Sequence, residues 1–91
     1  MTPAGRRERL RSILEQRYAP VALEVLDESH LHAGHAGAAG GHGHFRIRIV
    51  AEAFRGMSPL ARHRHIYGAL EDLLKTDIHA LAIEARAPQE P

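Results

Sequence analysis

Histidine is the residue type in this sequence whose number and spacing could do chemistry. Eight of the 91 residues are histidines, and five of them lie in the segment DESHLHAGHAGAAGGHGHF. The five are His30, His32, His35, His42 and His44. Neutral imidazole is a ligand that zinc, copper, nickel and iron all accept. The segment therefore indicates either a dedicated metal site or a His-rich loop that binds metals opportunistically.

The lack of cysteine limits the chemistry that the chain can perform by itself. Without cysteine there is no disulfide, no thiol nucleophile and no thiolate ligand from this chain. Any metal must be bound by histidine or carboxylate side chains, or by ligands that a partner supplies. The sequence also contains no recognisable acid/base pair, nucleophile constellation or phosphate-binding loop, so we expect a protein that is not an enzyme.

Charge and hydropathy constrain the partners and the compartment. Twelve Lys and Arg against eleven Asp and Glu give a formal net charge of +1, which allows a nucleic-acid partner but does not require one. No apolar run approaches the roughly 20 residues that cross a bilayer, and the first residues lack the hydrophobic core of a signal peptide. We expect a cytoplasmic protein with no membrane partner. The Arg-rich N-terminus leaves the mitochondrial matrix as the alternative.

The first half of the chain predicts one helix followed by two strands. The helix begins near Pro3 and ends before Pro20, because the proline ring disfavours a helical conformation of the preceding residue. Strict alternation then predicts two half-buried strands. The inward residues of the first strand are Val21, Leu23 and Val25, and those of the second are Phe45, Ile47 and Ile49. The connection between them, about residues 30–43, is much longer than a usual hairpin loop and is typical of a functional or flexible loop.

The second half predicts one helix and a last strand. Ser58 and Pro59 form an N-cap and first-position signal. The apolar stripe of this helix is predicted to consist of Leu60, Ile66, Tyr67, Leu70, Leu73 and Leu74. The run from Ile78 to Ala85 is apolar enough for a buried strand. Because a helix connects the second and third strands, those strands can pair in parallel, which predicts a mixed three-stranded sheet with helices on one face.

Three histidines lie outside the His-rich segment. His63 falls within the predicted apolar stripe, which favours a structural, hydrogen-bonded residue at the edge of the core. His65 is rotated away from that stripe and is expected to face solvent. The neighbouring Arg62 and Arg64 indicate either a solvated helix face or a contact with an anionic partner. His79 begins the last strand, where it is either an ordinary strand residue or a metal ligand.

Over about residues 6–88 the sequence resembles the BolA family. The resemblance rests on LEVLDESH, HFRIRIV, SPLARHRHIYGAL and IHALAIEARAP, which occur in the family's order. The most specific parts are the RHR of Arg62 to Arg64 and the HALAI that begins at His79. The resemblance implies an α+β, class II KH-like fold of order α-β-β-α-β, in agreement with the element order above. We therefore expect residues 1–91 to form one BolA-like domain with a short tail, 87–91.

The resemblance also implies a function. Members of the BolA family bind monothiol glutaredoxins and share a 2Fe-2S cluster with them, in iron-sulfur cluster trafficking or iron sensing. A cysteine of the partner and a glutathione thiolate bind one iron, and the BolA protein supplies the histidine of HALAI and a residue of the loop. In this sequence these are His79 and, by its position after DES, His32. Rival loop ligands are His30, His35 and His42, whereas His44 is expected to anchor the second strand.

Two other functions remain open from the sequence. One is transcription regulation by DNA binding, in which the basic contacts would be Arg46, Arg48, Arg62 and Arg64. The other is a His-rich binder of divalent metals. The isolated chain is expected to carry no cofactor apart from adventitious zinc or nickel. Weak association with a second copy of the chain is a further open alternative.

Overall fold

The computed structural model of the protein describes residues 3–28, 43–76 and 78–90. The elements in these ranges are α1 (Pro3–Tyr18), β1 (Ala22–Asp27), β2 (Gly43–Val50), a 3₁₀ turn (Glu52–Phe54), α2 (Pro59–Ala69), α3 (Glu71–Thr76) and β3 (Ile78–Arg86). The predicted α+β fold and its element order are confirmed. The second predicted helix is divided in two at Leu70, whose φ of −105° and ψ of 13° lie outside the helical region. No helix in the described ranges is long and apolar enough to cross a membrane.

The sheet has the order β1-β2-β3, with β2 in the centre. β2 pairs antiparallel with β1, where Val25 lies opposite Ile47, and parallel with β3, where Ile83 lies opposite Ile47. The prediction of a mixed three-stranded sheet is therefore confirmed. It follows the expected logic, because a helical crossover is what allows two consecutive strands to run in the same direction.

The central strand separates a buried face of the sheet from a charged one. Phe45, Ile47 and Ile49 are at most 2% exposed and pack into the core beneath the helices. The side chains between them, Arg46 and Arg48, lie on the opposite face, as the alternation predicted. The core is completed by residues from α1, α2 and α3, among them Leu10, Leu14, Ile66, Leu70 and Leu73.

Two apolar residues predicted to face the core do not do so. Val21 precedes β1 and is 71% exposed, and Leu60 in the first turn of α2 is 58% exposed. The buried stripe of α2 runs instead through Arg62, Ile66 and Leu70, which recur every four residues. The rest of the predicted stripe is confirmed, because Ile66, Leu70 and Leu73 are buried and Tyr67 and Leu74 pack against the core; the first buried position is Arg62 and not Leu60.

α1 ends in a left-handed residue. The N–H of Ala19 donates to the carbonyl of Glu15 at 3.0 Å, and Ala19 has a φ of +45° directly before Pro20. The predicted end of the helix before the proline is confirmed. A left-handed conformation is unfavourable for alanine because its Cβ crowds the backbone, whereas glycine adopts it freely.

We expect Ala19→Gly to raise the free energy of unfolding by about 0.5–1 kcal/mol. Relief of about 1–2 kcal/mol of backbone strain exceeds the extra entropy of glycine in the unfolded chain, which is about 0.4–1 kcal/mol. Urea denaturation followed by circular dichroism measures the difference. Ser12→Gly, in the exposed middle of α1, is the control and should have the opposite sign, at about 0.5 kcal/mol. A lower stability of Ala19→Gly would contradict the assignment of the cap.

Candidate metal centre at one end of the sheet

Three strand ends meet at the same end of the sheet. β1 runs antiparallel to β2, so the last residue of β1, Asp27, lies opposite Phe45 near the start of β2. β3 runs parallel to β2, so its first residue, Ile78, lies opposite Gly43. The connection between β1 and β2 therefore leaves and re-enters the sheet at the end where His79 begins the HALAI segment.

The pairing of β2 with β3 contains an irregularity at His79. Gly43 lies opposite Ile78, but the next residue, His44, lies opposite Ala80. β3 thus has one extra residue at this step, His79, as in a β-bulge. Bulges interrupt the ladder locally, re-aim side chains and occur often beside functional sites. The bulge places the backbone of His79 next to Gly43 and His44, near the end of the His-rich segment.

The start of β2 packs closely under the ring of Phe45 and is hydrogen-bonded to the residue that follows β1. A Cβ atom on Gly43 would collide with the ring of Phe45, so only glycine fits beneath that ring. The N–H of Glu28 donates to the carbonyl of His44 at 2.7 Å, which extends the β1–β2 pairing by one residue. His44 is half-buried and lines a shallow depression of about 280 Å³ with Glu28, Arg46 and Ala80. His44 lies in β2, and its structural role stays a prediction.

The predicted metal ligands are His79 and the histidines of the connection between β1 and β2. His30, His32, His35 and His42 lie outside the described residues, and so does the side chain of His79. Within the described part of the chain, no group of three or more His, Asp or Glu side chains could hold a metal ion.

The two histidines of α2 are both exposed. His63 is exposed and stacks on Tyr67, with ring centroids 4.6 Å apart and an interplanar angle of 21°. The prediction that it is a hydrogen-bonded residue at the edge of the core is wrong. His65, although exposed as expected, shares a 2.6 Å hydrogen bond through Nδ1 with the hydroxyl of the buried Tyr18. Burial raises the pKa of Tyr18, so its hydroxyl remains protonated at neutral pH.

The arginines of β2 are engaged in ion pairs on the charged face of the sheet. Arg48 donates to Glu84 at 2.8 Å and to Glu24 at 3.1 Å, and Arg46 donates to Glu28 at 3.1 Å. The carboxylates of both neighbouring strands thus neutralise the central row of cations. Hydrogen bonds from Arg48 are the main reason why the pKa of Glu84 lies below its usual value.

Arg62 is a structural residue, which corrects its prediction as a nucleic-acid contact. It is only 9% exposed, and its two terminal nitrogens donate to the two oxygens of Glu90 at 2.7 and 2.8 Å. One of them also donates to the carbonyl of Ala85 at 3.1 Å. The guanidinium is therefore not offered to a phosphate. Of the four predicted basic contacts, Arg48 and Arg64 are exposed, and Arg64 lies outside the ion pairs described here.

The amino-acid sequence matches a known protein family over most of its length. The family sequence model described as "BolA-like protein" matches residues 14–90. The chain belongs to the BolA family. Among solved structures, the BolA domain of SufE1 from Arabidopsis thaliana matches with a TM-score of 0.84 and 49% sequence identity, over 94% of this chain and 95% of that domain. The fold and the family resemblance predicted from the sequence are therefore confirmed.

Two curated relatives of this BolA-family chain differ in length and in name. SufE-like protein 1, chloroplastic/mitochondrial, from Arabidopsis thaliana is 52% identical over 87 residues, which is 90% of this chain but only 24% of that protein. The DNA-binding transcriptional regulator BolA of Escherichia coli is 40% identical over 84 residues, 92% of this chain and 77% of that protein. The chain thus spans about a quarter of the first relative and most of the second.

In this BolA-family chain, we expect the contribution of Glu90 to stability to depend on pH. Hydrogen bonds from Arg62, and then from the N–H of Ala87, lower the pKa of Glu90 from 4.5 to about 2. A carboxylate whose pKa is lower in the folded state stabilises the fold fully above its unfolded pKa, and this contribution is lost as the carboxylate is protonated in the fold. Glu90→Gln should therefore lower Tm at neutral pH, and the deficit should shrink as the pH falls from about 4.5 to about 2.

Thermal unfolding of the wild type and the variant, followed by circular dichroism between pH 7 and pH 2, measures this difference. Other carboxylates titrate in the same range but do so in both proteins, so the difference in Tm isolates Glu90. Glu8→Gln, on the exposed side of α1, is the control and should differ little from wild type at every pH. A deficit that stays constant down to pH 2 would contradict the ion pair.

Proposed function

We propose that this BolA-family chain is a non-enzymatic adaptor that binds a monothiol glutaredoxin and shares a glutathione-ligated 2Fe-2S cluster with it. Its role on this proposal is iron-sulfur cluster trafficking or iron sensing. The observation that supports it best is the register of β2 and β3. The register puts the backbone of His79, at a bulge, beside the residues that end the His-rich connection.

The composition of the chain fixes the kind of ligand that it could contribute. Because the chain has no cysteine, its own ligands to iron would be imidazoles. On this proposal His79 and His32 replace two thiolates of a cluster held by a glutaredoxin homodimer, with His30, His35 and His42 as rival ligands. Imidazole ligands raise the potential of a 2Fe-2S cluster above that of an all-thiolate site. Only neutral imidazoles bind a metal, so protons compete with ligation at mildly acidic pH.

The end of the sheet at which these ligands would lie is compatible with the docking of a partner. Gly43 fixes the start of β2 against Phe45, and the hydrogen bond between Glu28 and His44 closes the hairpin. A rigid base beneath the two ligand-bearing segments reduces the conformational freedom that is lost when a shared site forms. This local order supports a ligand-completing role for the chain.

We expect His79→Ala to abolish formation of the mixed cluster. Cluster-loaded monothiol glutaredoxin with glutathione is titrated anaerobically with the wild type and the variant, and visible absorption and circular dichroism are recorded. The wild type should change both spectra, His79→Ala should leave them as in the glutaredoxin homodimer, and His32→Ala should have the same effect. His63→Ala, on the exposed surface of α2, is the matched control and should behave like wild type.

The outcomes separate this function from its rivals. A wild-type response by His79→Ala would refute the role of that residue. A loss with His30→Ala, His35→Ala or His42→Ala in place of His32→Ala would reassign the loop ligand. Zinc binding by the isolated chain that survives His79→Ala, together with unchanged glutaredoxin spectra, would favour a His-rich metal binder.

DNA binding is the second candidate function, because the relative from Escherichia coli is named a DNA-binding transcriptional regulator. The charge distribution gives it little support. Arg46 and Arg48 are paired with glutamates, and Arg62 is buried against Glu90. Of the contacts predicted from the sequence, Arg64 alone is exposed and outside the ion pairs described above.

We therefore expect only weak salt dependence of DNA binding. Each phosphate contact contributes a slope of about −0.9 to the logarithm of affinity against the logarithm of salt concentration, so Arg64 alone predicts a slope near −1. Gel shifts between low and physiological salt measure it, and Arg64→Ala should remove what binding there is. A slope near −4 would show that the paired arginines also contact phosphates and would favour the regulator.

A further inference from the structure

The ion pair between Arg62 and Glu90 has the geometry of a carboxylate-binding site whose occupant belongs to the same chain. Two parallel bonds of 2.7 and 2.8 Å join the planar guanidinium to the planar carboxylate. This bidentate arrangement is how arginine recognises carboxylates in general. The cation is almost fully buried, whereas the Glu90 side chain is 29% exposed. Arg62 is thus buried within the fold, whereas Glu90 lies partly exposed at its surface.

The segment that delivers Glu90 is a short turn held by few contacts. Gln89 has a φ of +70°, a left-handed conformation that is unfavourable for a residue with a Cβ atom. The turn is held by the bonds of the Glu90 carboxylate to Arg62 and to the N–H of Ala87, by a 3.2 Å bond from the N–H of Glu90 to the carbonyl of Ala87, and by a 2.8 Å bond from Arg55 to the carbonyl of Pro88. Most of these bonds depend on one carboxylate, so its replacement would release the turn.

A groove lies directly beside the pair. It has a volume of about 270 Å³, and Arg62 forms one of its walls between α2 and β3. Pro59 and Ile83 supply apolar surface, and His63 and Arg86 supply basic groups. The only acid in its lining, Glu84, is paired with Arg48 on the charged face of the sheet. The groove therefore combines apolar contact area with a described lining in which basic residues outnumber acidic ones, with Arg62 paired to Glu90 and Glu84 paired to Arg48.

We infer that Arg62 is the receptor for a carboxylate side chain in an acidic peptide segment of a partner protein, and that Glu90 occupies this receptor as an internal latch. The internal glutamate shows the chemistry that the site accepts. Its replacement by a glutamate or aspartate of the partner keeps the bidentate pair and opens the adjoining groove to the neighbouring residues of that segment. The inference does not depend on the proposed cluster function, because none of the described residues that line the groove is a proposed metal ligand.

The test uses a peptide with the sequence of the chain's own turn as the probe. Acetyl-Ala-Pro-Gln-Glu-Pro-amide is added to the ¹⁵N-labelled full chain, and NMR follows the Nε–H of Arg62 and the amides of Ile83 to Arg86. In Glu90→Gln the latch is weakened, so we expect the peptide to bind at least tenfold more tightly than to the wild type. The control peptide with Gln in place of Glu should bind neither protein.

Two further variants keep the test decisive. Arg62→Lys in the Glu90→Gln background retains the charge but lacks the fork, so binding of the glutamate peptide should be lost. If Glu90→Gln does not fold, Glu90→Asp replaces it, since its shorter side chain weakens the bidentate pair without removing the charge. Equal binding of the two peptides, or no gain in affinity for the glutamate peptide in either Glu90 variant, would overturn the inference. The ion pair would then serve only to hold the C-terminal turn against the fold.

Discussion

The rest of the structure depends on the two-sided pairing of the central strand, β2. Its antiparallel pairing with β1 and parallel pairing with β3 leave one way for its side chains to alternate, with isoleucines and phenylalanine inward and arginines outward. A shift of β2 by one residue against its neighbours would turn Arg46 and Arg48 towards the core and expose its apolar side chains, which makes the observed register strongly preferred. The same pairing fixes which strand ends lie together, and hence where His79 lies relative to the His-rich connection.

Much of this fold could be predicted from the sequence because its strands and helix ends carry local signals. Alternation identified β2, and prolines marked both the end of α1 and the start of α2. Only the first buried position of α2 could not be predicted, because it is a charged residue, Arg62. The partner that makes burial of Arg62 favourable, Glu90, is 28 residues away and gives no local signal.

The candidate site could be predicted only in part. The family resemblance identified His79, and the parallel pairing of β2 and β3 could be inferred from a helical crossover. The bulge at His79 has no signature in the sequence, because it is a property of the pairing between two strands that are far apart in the chain. The hydrogen bond between Tyr18 and His65 was also missed, since it joins residues 47 apart in the sequence.

The central claim is that imidazoles of this chain ligate a cluster shared with a glutaredoxin. Pulsed electron paramagnetic resonance of the reduced cluster tests it most directly, using this chain labelled with ¹⁵N-histidine and an unlabelled glutaredoxin. The account predicts strong nitrogen couplings from two imidazoles, which change from ¹⁴N to ¹⁵N values when this chain alone is labelled. Couplings that are absent, or that do not respond to the label, would contradict it.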